Sequence, residues 1–195
     1  MKNVVLVLGF CIITISAFAQ HETVFGKARV VGGFGAPIVE FGIGNDLNTA
    51  VGGGGGVVIN NFFLGGYGIG SLNFDQLIND ELTEIEVGHG GFWLGSTFKP
   101  HKVLHLYGSA KIGWGAISIP IDDNDFQFDD LDKIFVVTPE LGVELNVTKW
   151  FRIAATGGYR WVSGANERLD YNDEDFSGAV ATLNFRFGWF GWHRN

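Results

Sequence analysis

The chain has 195 residues, the length of one domain, with 13 Lys+Arg against 21 Asp+Glu and a formal charge of -8. That acidic balance excludes a nucleic-acid binder, which needs a basic face, and the 46% apolar content excludes a disordered chain. Charged residues are only 17%, below the roughly 25% of an average soluble domain.

Met1 to Gln20 reads as an export signal. Lys2 gives a positive start, Val4 to Ile15 a largely apolar run, and Ala17-Phe18-Ala19 the small-x-small pattern of a cleavage site. Cleavage is expected after Ala19, so 1–19 is the signal peptide and 20–195 the functional domain. An uncleaved anchor is the bland alternative, but the apolar run is short for a membrane span. Cys11 is the only cysteine. The mature chain therefore has neither a disulfide framework nor a cysteine-ligated metal site.

From there on the chain alternates with period two. Eight strands are expected, near 29–42, 49–60, 62–71, 84–98, 102–117, 133–147, 150–162 and 177–190. Gly52 to Gly56 is an unbroken glycine run that suits a bend or tight packing. Parity slips near Gly90-Gly91, which predicts a bulge there. Pro37 and Pro139 fall in mid-strand and predict two more. From Leu104, one parity carries Leu104, Leu106, Ala110, Ile112 and Trp114, the other His105, Tyr107, Ser109 and Lys111. The segments 137–147, 151–161 and 182–189 alternate in the same way. Connections run short and long in turn: short at Asn60-Asn61, Pro100-His101 and 148–150, long at 71–83, 118–132 and 163–176. A transmembrane barrel is built like that, with short turns in the periplasm and long loops outside.

Alternation alone does not say which face is inside, and a soluble lipocalin-like carrier also alternates. Three features favour apolar-outward. The polar faces are sparsely charged, the apolar faces of the four clearest strands carry no charge, and Trp114, Trp150, Phe151, Trp161, Phe187 and Trp189 cluster near strand ends as girdles do. The expected fold is all-β: an eight-stranded antiparallel up-and-down transmembrane β-barrel.

Three glycine-rich stretches carry a family resemblance. They are Gly32-Gly33-Phe34-Gly35-Ala36-Pro37, Gly52 to Gly56 followed by Val57-Val58-Ile59-Asn60-Asn61, and Leu64-Gly65-Gly66-Tyr67-Gly68. The chain resembles the small OmpA/OmpX-like outer-membrane β-barrel proteins in their glycine-rich Bacteroidota style. The resemblance implies an outer-membrane location and a structural or surface-interaction role, adhesion or envelope integrity. Family members end on an aromatic residue read by the insertion machinery. Here Phe185-Arg186-Phe187-Gly188-Trp189 has that form, but Gly191 to Asn195 follows it.

With the apolar face outward, the lumen receives Glu40, Glu140 and Glu144 against Lys111, Arg152, Arg160 and Arg186. An eight-stranded barrel is just wide enough to be filled by side chains, and buried charges must be paired. These residues are therefore expected to form a salt-bridge network that plugs the barrel; a narrow channel for ions or small solutes is the alternative. If 148–150 is a turn, Asn146 lies opposite Arg152 and Glu144 lies diagonal to it. The long loops are acidic. Asp122, Asp123, Asp125, Asp129 and Asp130 lie in one, and Asp170 and Asp173 in another. They read as solvated loops, or as weak divalent-cation candidates bridging to lipopolysaccharide, since neither run has the EF-hand order. Ser71, Ser118, Ser163 and Ser177 form no Gly-x-Ser-x-Gly elbow, so no enzyme is expected. No cofactor is called for. The expected partners are outer-membrane lipid or lipopolysaccharide and an extracellular protein or surface, with no nucleic acid, and the chain is expected to be a monomer.

Overall fold

The computed structural model describes residues 28–43, 49–71, 75–78, 81–84, 86–118, 132–165 and 172–191. They form ten strands: β1 (Val30–Ile43), β2 (Ala50–Ile59), β3 (Phe62–Ser71), β4 (Asp75–Ile78), β5 (Glu81–Glu84), β6 (Glu86–Phe98), β7 (Leu104–Ser118), β8 (Asp132–Asn146), β9 (Phe151–Ser163) and β10 (Gly178–Phe190). One helical turn, α1 (Asp173–Phe176), precedes β10. Eight of the strands close into a barrel in the order β1-β2-β3-β6-β7-β8-β9-β10, with β10 returning to β1. Every neighbouring pair is antiparallel. β4 and β5 form a separate hairpin in the connection between β3 and β6. Among the described residues no helix is long and apolar enough to cross a membrane; in this fold the strands are the crossing elements.

The wall is inside-out relative to a water-soluble barrel. Leu141 is 70% exposed, and Leu106, Trp114 and Trp161 are also exposed. Lys111, Glu40, Glu144 and Arg186 are buried on the inner wall. Water would penalise the exterior by about 25 cal/mol for each Å² of apolar surface, while hydrocarbon would not. The exterior is therefore a lipid face, and the apolar-outward assignment holds. At the short-turn end, Trp150, Phe151 and Phe187 pack together, with the last two stacked at 4.6 Å. At the long-loop end, Trp114 packs on Phe135 and Tyr159 on Trp161.

The three expected bulges are absent. The β6 register runs without a shift from Gly88 to Ser96 against β3, and from Glu86 to Phe98 against β7. Parity looked broken because Gly90 and Gly91 carry no side chain to mark a face. It looked broken further on because Trp93 turns inward between the outward Phe92 and Leu94. Pro37 and Pro139 also keep register. Each drops out of the ladder on one side only, against β10 and β9 respectively. A missing N–H removes a bond without displacing the strand. The one shift in the β1–β2 ladder lies between Val30 and Gly32.

Glycine does two different things on this wall. Gly54 faces the lumen beneath Trp93. A Cβ there would sit 2.7 Å from the Gly66 carbonyl oxygen and 3.0 Å from the Trp93 ring. Gly68 faces outward and a Cβ there would meet nothing within 4 Å. Gly68→Val should therefore raise stability by about 0.5–1 kcal/mol, the usual penalty of glycine in a strand. Gly54→Val should prevent folding. Urea titration of the two variants in the same vesicles checks both.

Candidate functional site

The inner wall carries two ion clusters and an aromatic layer. In the first cluster, cross-strand pairing sets Ser109 of β7 opposite Glu140 of β8, and Lys111 opposite Thr138. Lys111 donates from Nζ to Glu140 Oε1 at 2.9 Å and, across the barrel, to Glu40 Oε2 of β1 at 2.8 Å. Arg160 of β9 reaches the other oxygen of Glu40 at 3.1 Å. Glu140 is completed by the hydroxyls of Ser109 at 2.8 Å and Thr182 at 2.5 Å. Two cations thus meet two carboxylates, and each carboxylate oxygen named has a donor.

The second cluster centres on Glu144. Arg152 Nη1 donates to its Oε1 at 2.8 Å, Arg186 Nη1 donates to its Oε2, and His105 Nε2 lies 3.0 Å from Oε1. His105 Nδ1 lies 3.1 Å from the Lys102 carbonyl. Asn146 is registered with Arg152 and donates to the carbonyls of Pro100 and Lys102 at 2.8 and 2.7 Å. Two guanidinium groups share a single carboxylate here. Aromatic faces take up the surplus positive charge. The Arg186 guanidinium is 3.9 Å from the Phe34 ring centre and 4.6 Å from that of Phe63, and Arg152 is 4.0 Å from Phe190. Such contacts contribute about 2 kcal/mol or more where water is excluded.

An aromatic layer packs against these charges. Phe34, Phe63, Trp93 and Tyr107 are all buried. Trp93 lies edge-on to Phe34 at 5.5 Å and to Phe63 at 5.3 Å. None of the four was singled out as a luminal residue by the sequence, although Phe34 and Tyr107 lie on the same strand parities as Glu40 and Lys111.

Above the first cluster the barrel mouth is apolar. Phe176 of α1 is buried among Ile117, Ile134, Val136 and Val162. The turn that carries it is tightly held. Asn172 caps α1 in a reciprocal capping box with Asp175. Ser177 Oγ accepts from the Val162 amide at 2.9 Å, and Arg160 Nε donates to the Phe176 carbonyl at 3.0 Å. A cavity of about 20 Å³ remains among His89, Arg160 and Phe176, room for about one water molecule.

All seven charged candidates from the sequence lie on the inner wall: Glu40, Lys111, Glu140 and Arg160 in one cluster, Glu144, Arg152 and Arg186 in the other. Of the divalent candidates, Asp122, Asp123, Asp125, Asp129, Asp130 and Asp170 lie outside the described residues. Asp173 accepts from the Ala165 amide at 2.8 Å. Among the described residues no three His, Cys, Asp or Glu side chains converge as a metal site would require. Two of the four hydroxyl candidates are in structural bonds: Ser71 accepts from the Val87 amide, and Ser177 donates to the Asp173 carbonyl. Of the buried histidines, His89 pairs with the Tyr67 hydroxyl at 3.0 Å, and His105 with Glu144.

No protein-family model matches the chain. No curated protein matches it in sequence. Among solved structures it is similar to neisserial surface protein A, with a TM-score of 0.51 at 12% identity over 80% of this chain and 92% of that one. The attachment invasion locus protein Ail of Yersinia pestis, in complex with the heparin analogue sucrose octasulfate, aligns with a TM-score of 0.44 at 14% identity, over 81% and 96% of the two chains. At these identities the likeness to neisserial surface protein A is one of fold.

Proposed function

We propose that this chain is an outer-membrane β-barrel whose lumen is closed by its own side chains, and which presents its acidic loops at the cell surface. Residues 1–19 direct export, and 20–195 form the barrel. Short turns face the periplasm and long loops face outward. The role is structural or adhesive rather than catalytic or conductive, and the protein acts as a monomer. Its environment is outer-membrane lipid, with lipopolysaccharide or another cell surface as the partner of the loops.

The observation that carries this reading is the double ion cluster. Lys111 and Arg160 meet Glu40 and Glu140, and Arg152 and Arg186 meet Glu144, so paired charged side chains from β1, β7, β8, β9 and β10 reach across the interior. An eight-stranded interior is just wide enough for side chains to fill, and these pairs support a filled lumen over a water-filled pore. The roughly one-water cavity beneath Phe176 agrees with a closed mouth.

Planar-bilayer recording tests the closure. The native protein should show no discrete conductance, and a change that removes a cluster, such as Glu144→Ala, should introduce it. Steady single-channel steps from the native protein would establish the narrow-channel reading instead. Protease treatment of intact cells tests the orientation: the loops 118–132 and 163–176 should be cut first, and cutting at 148–150 would reverse it.

A further inference from the structure

The two ends of the barrel carry opposite charge. The described residues at the short-turn end are 28–29, 60–61, 99–103, 147–150 and 191. They include Arg29, Lys99, Lys102 and Lys149, all exposed, and not one Asp or Glu. The described residues at the long-loop end include Asp75, Glu81, Glu84, Asp173, Glu174 and Asp175, with Lys133 the only Lys or Arg outside the lumen among them. Neither the luminal clusters nor the closure of the barrel uses the four cations of the short-turn end.

Their placement is specific. The turns are short, so each lysine sits within one or two residues of the lipid-facing wall, about 3–7 Å of extended chain. Lys99 follows the exposed Phe98, and its ammonium lies 5.1 Å from that ring centre. Lys102 precedes the exposed Val103 and Leu104, and Lys149 precedes the exposed Trp150. The backbone holds these turns in place. The Pro100 and Lys102 carbonyls accept from Asn146, Val103 accepts from the Asn146 amide at 2.8 Å, and Asn60 donates to the Arg29 carbonyl at 3.1 Å. Cations interleaved with outward aromatics at the edge of an apolar belt lie at the depth where phospholipid phosphates lie.

We propose that Arg29, Lys99, Lys102 and Lys149 form a cationic collar that binds the headgroups of anionic phospholipids in the leaflet facing the short turns. The inference rests on the membrane-barrel reading and goes beyond it, because it assigns a lipid class to one end. A peptide-linked glycan facing the same end is the competing partner. The lipid is favoured because the cations flank the wall itself, beside Phe98, Leu104 and Trp150, rather than standing clear of it.

The test is electron spin resonance of spin-labelled phosphatidylglycerol and phosphatidylcholine around the protein in phosphatidylcholine vesicles. The native barrel should associate with phosphatidylglycerol at least about twofold more strongly, and about 0.5 M salt should abolish the preference. The K99Q/K102Q/K149Q variant should retain its heat-dependent gel shift, showing a folded barrel, and lose the preference. Equal association in the native protein would overturn the collar, and so would an unchanged preference in the folded triple variant. Lysine-dependent sedimentation with purified murein in place of a lipid preference would transfer the surface to the glycan and overturn the lipid assignment. A native chain with no gel shift would overturn the barrel reading itself, and the collar with it.

Discussion

Glu144→Gln should lower the stability of the folded barrel by about 3–5 kcal/mol, the loss expected when one partner leaves a buried ion pair. Glu144 is the carboxylate bonded to both Arg152 and Arg186, and His105 also rests on it. Glutamine keeps the shape and one acceptor but removes the charge. Two buried guanidinium groups would then face each other without a counter-charge. Aromatic contacts at Phe34, Phe63 and Phe190 hold part of that charge but cannot replace a carboxylate. Urea titration in phospholipid vesicles measures the loss. A cycle with Arg186→Met sharpens it: removing the second cation should restore part of the stability that Glu144→Gln loses, with a coupling of about 1–3 kcal/mol. Strictly additive effects would mean that the two side chains do not act as a pair.

Trp93→Ala should cost a comparable amount, about 3–5 kcal/mol, through the cavity it leaves. Trp93 is fully buried, and Phe34 and Phe63 meet it edge-on at 5.5 and 5.3 Å. Its ring also covers Gly54, which has no side chain to fill the space. Trp93→Phe should lose much less, because it keeps an aromatic plane and removes an indole N–H that has no hydrogen-bond partner among the described residues. The same urea titration ranks the pair. Equal losses for phenylalanine and alanine would show that the site is not filled by packing.

The sequence was most legible where both faces carry side chains. Polar and apolar residues alternate over 104–114, 137–147, 151–161 and 182–189, so the outward faces of β7, β8, β9 and β10 could be read directly; toward the long loops the inward residues Ile117, Ile134, Val136 and Val162 are themselves apolar. Glu144 and Arg152 could be related through the short turn at 148–150, because a short turn fixes the register on either side of it, and Asn146 does pair with Arg152. Glu40 and Arg160 are 120 positions apart, and nothing local joins them; only closure of the sheet does. β6 misled for a physical reason. Side chains report a strand's face, and Gly90 and Gly91 have none, while an inward Trp93 between two outward apolar residues looks like a change of parity. The prolines misled because a lost hydrogen bond was equated with a bulge. The aromatic layer of the lumen was hidden by composition: Phe34, Phe63 and Trp93 are apolar residues on the face that elsewhere is polar. They are there because the surplus guanidinium of the Glu144 cluster needs ring faces and the barrel interior needs volume. α1 is too short for any helical period, and only the Asn172 to Asp175 capping spacing marks it.

This barrel wears its apolar residues on the outside because the outside is lipid. Leu141 tests it most directly, since it lies near the middle of β8 and is 70% exposed. The measurement is the unfolding free energy of Leu141→Arg in phospholipid vesicles. A lipid-facing position predicts a loss of about 2–4 kcal/mol. A change within about 0.5 kcal/mol, as an exposed site on a water-soluble protein would give, would contradict the account.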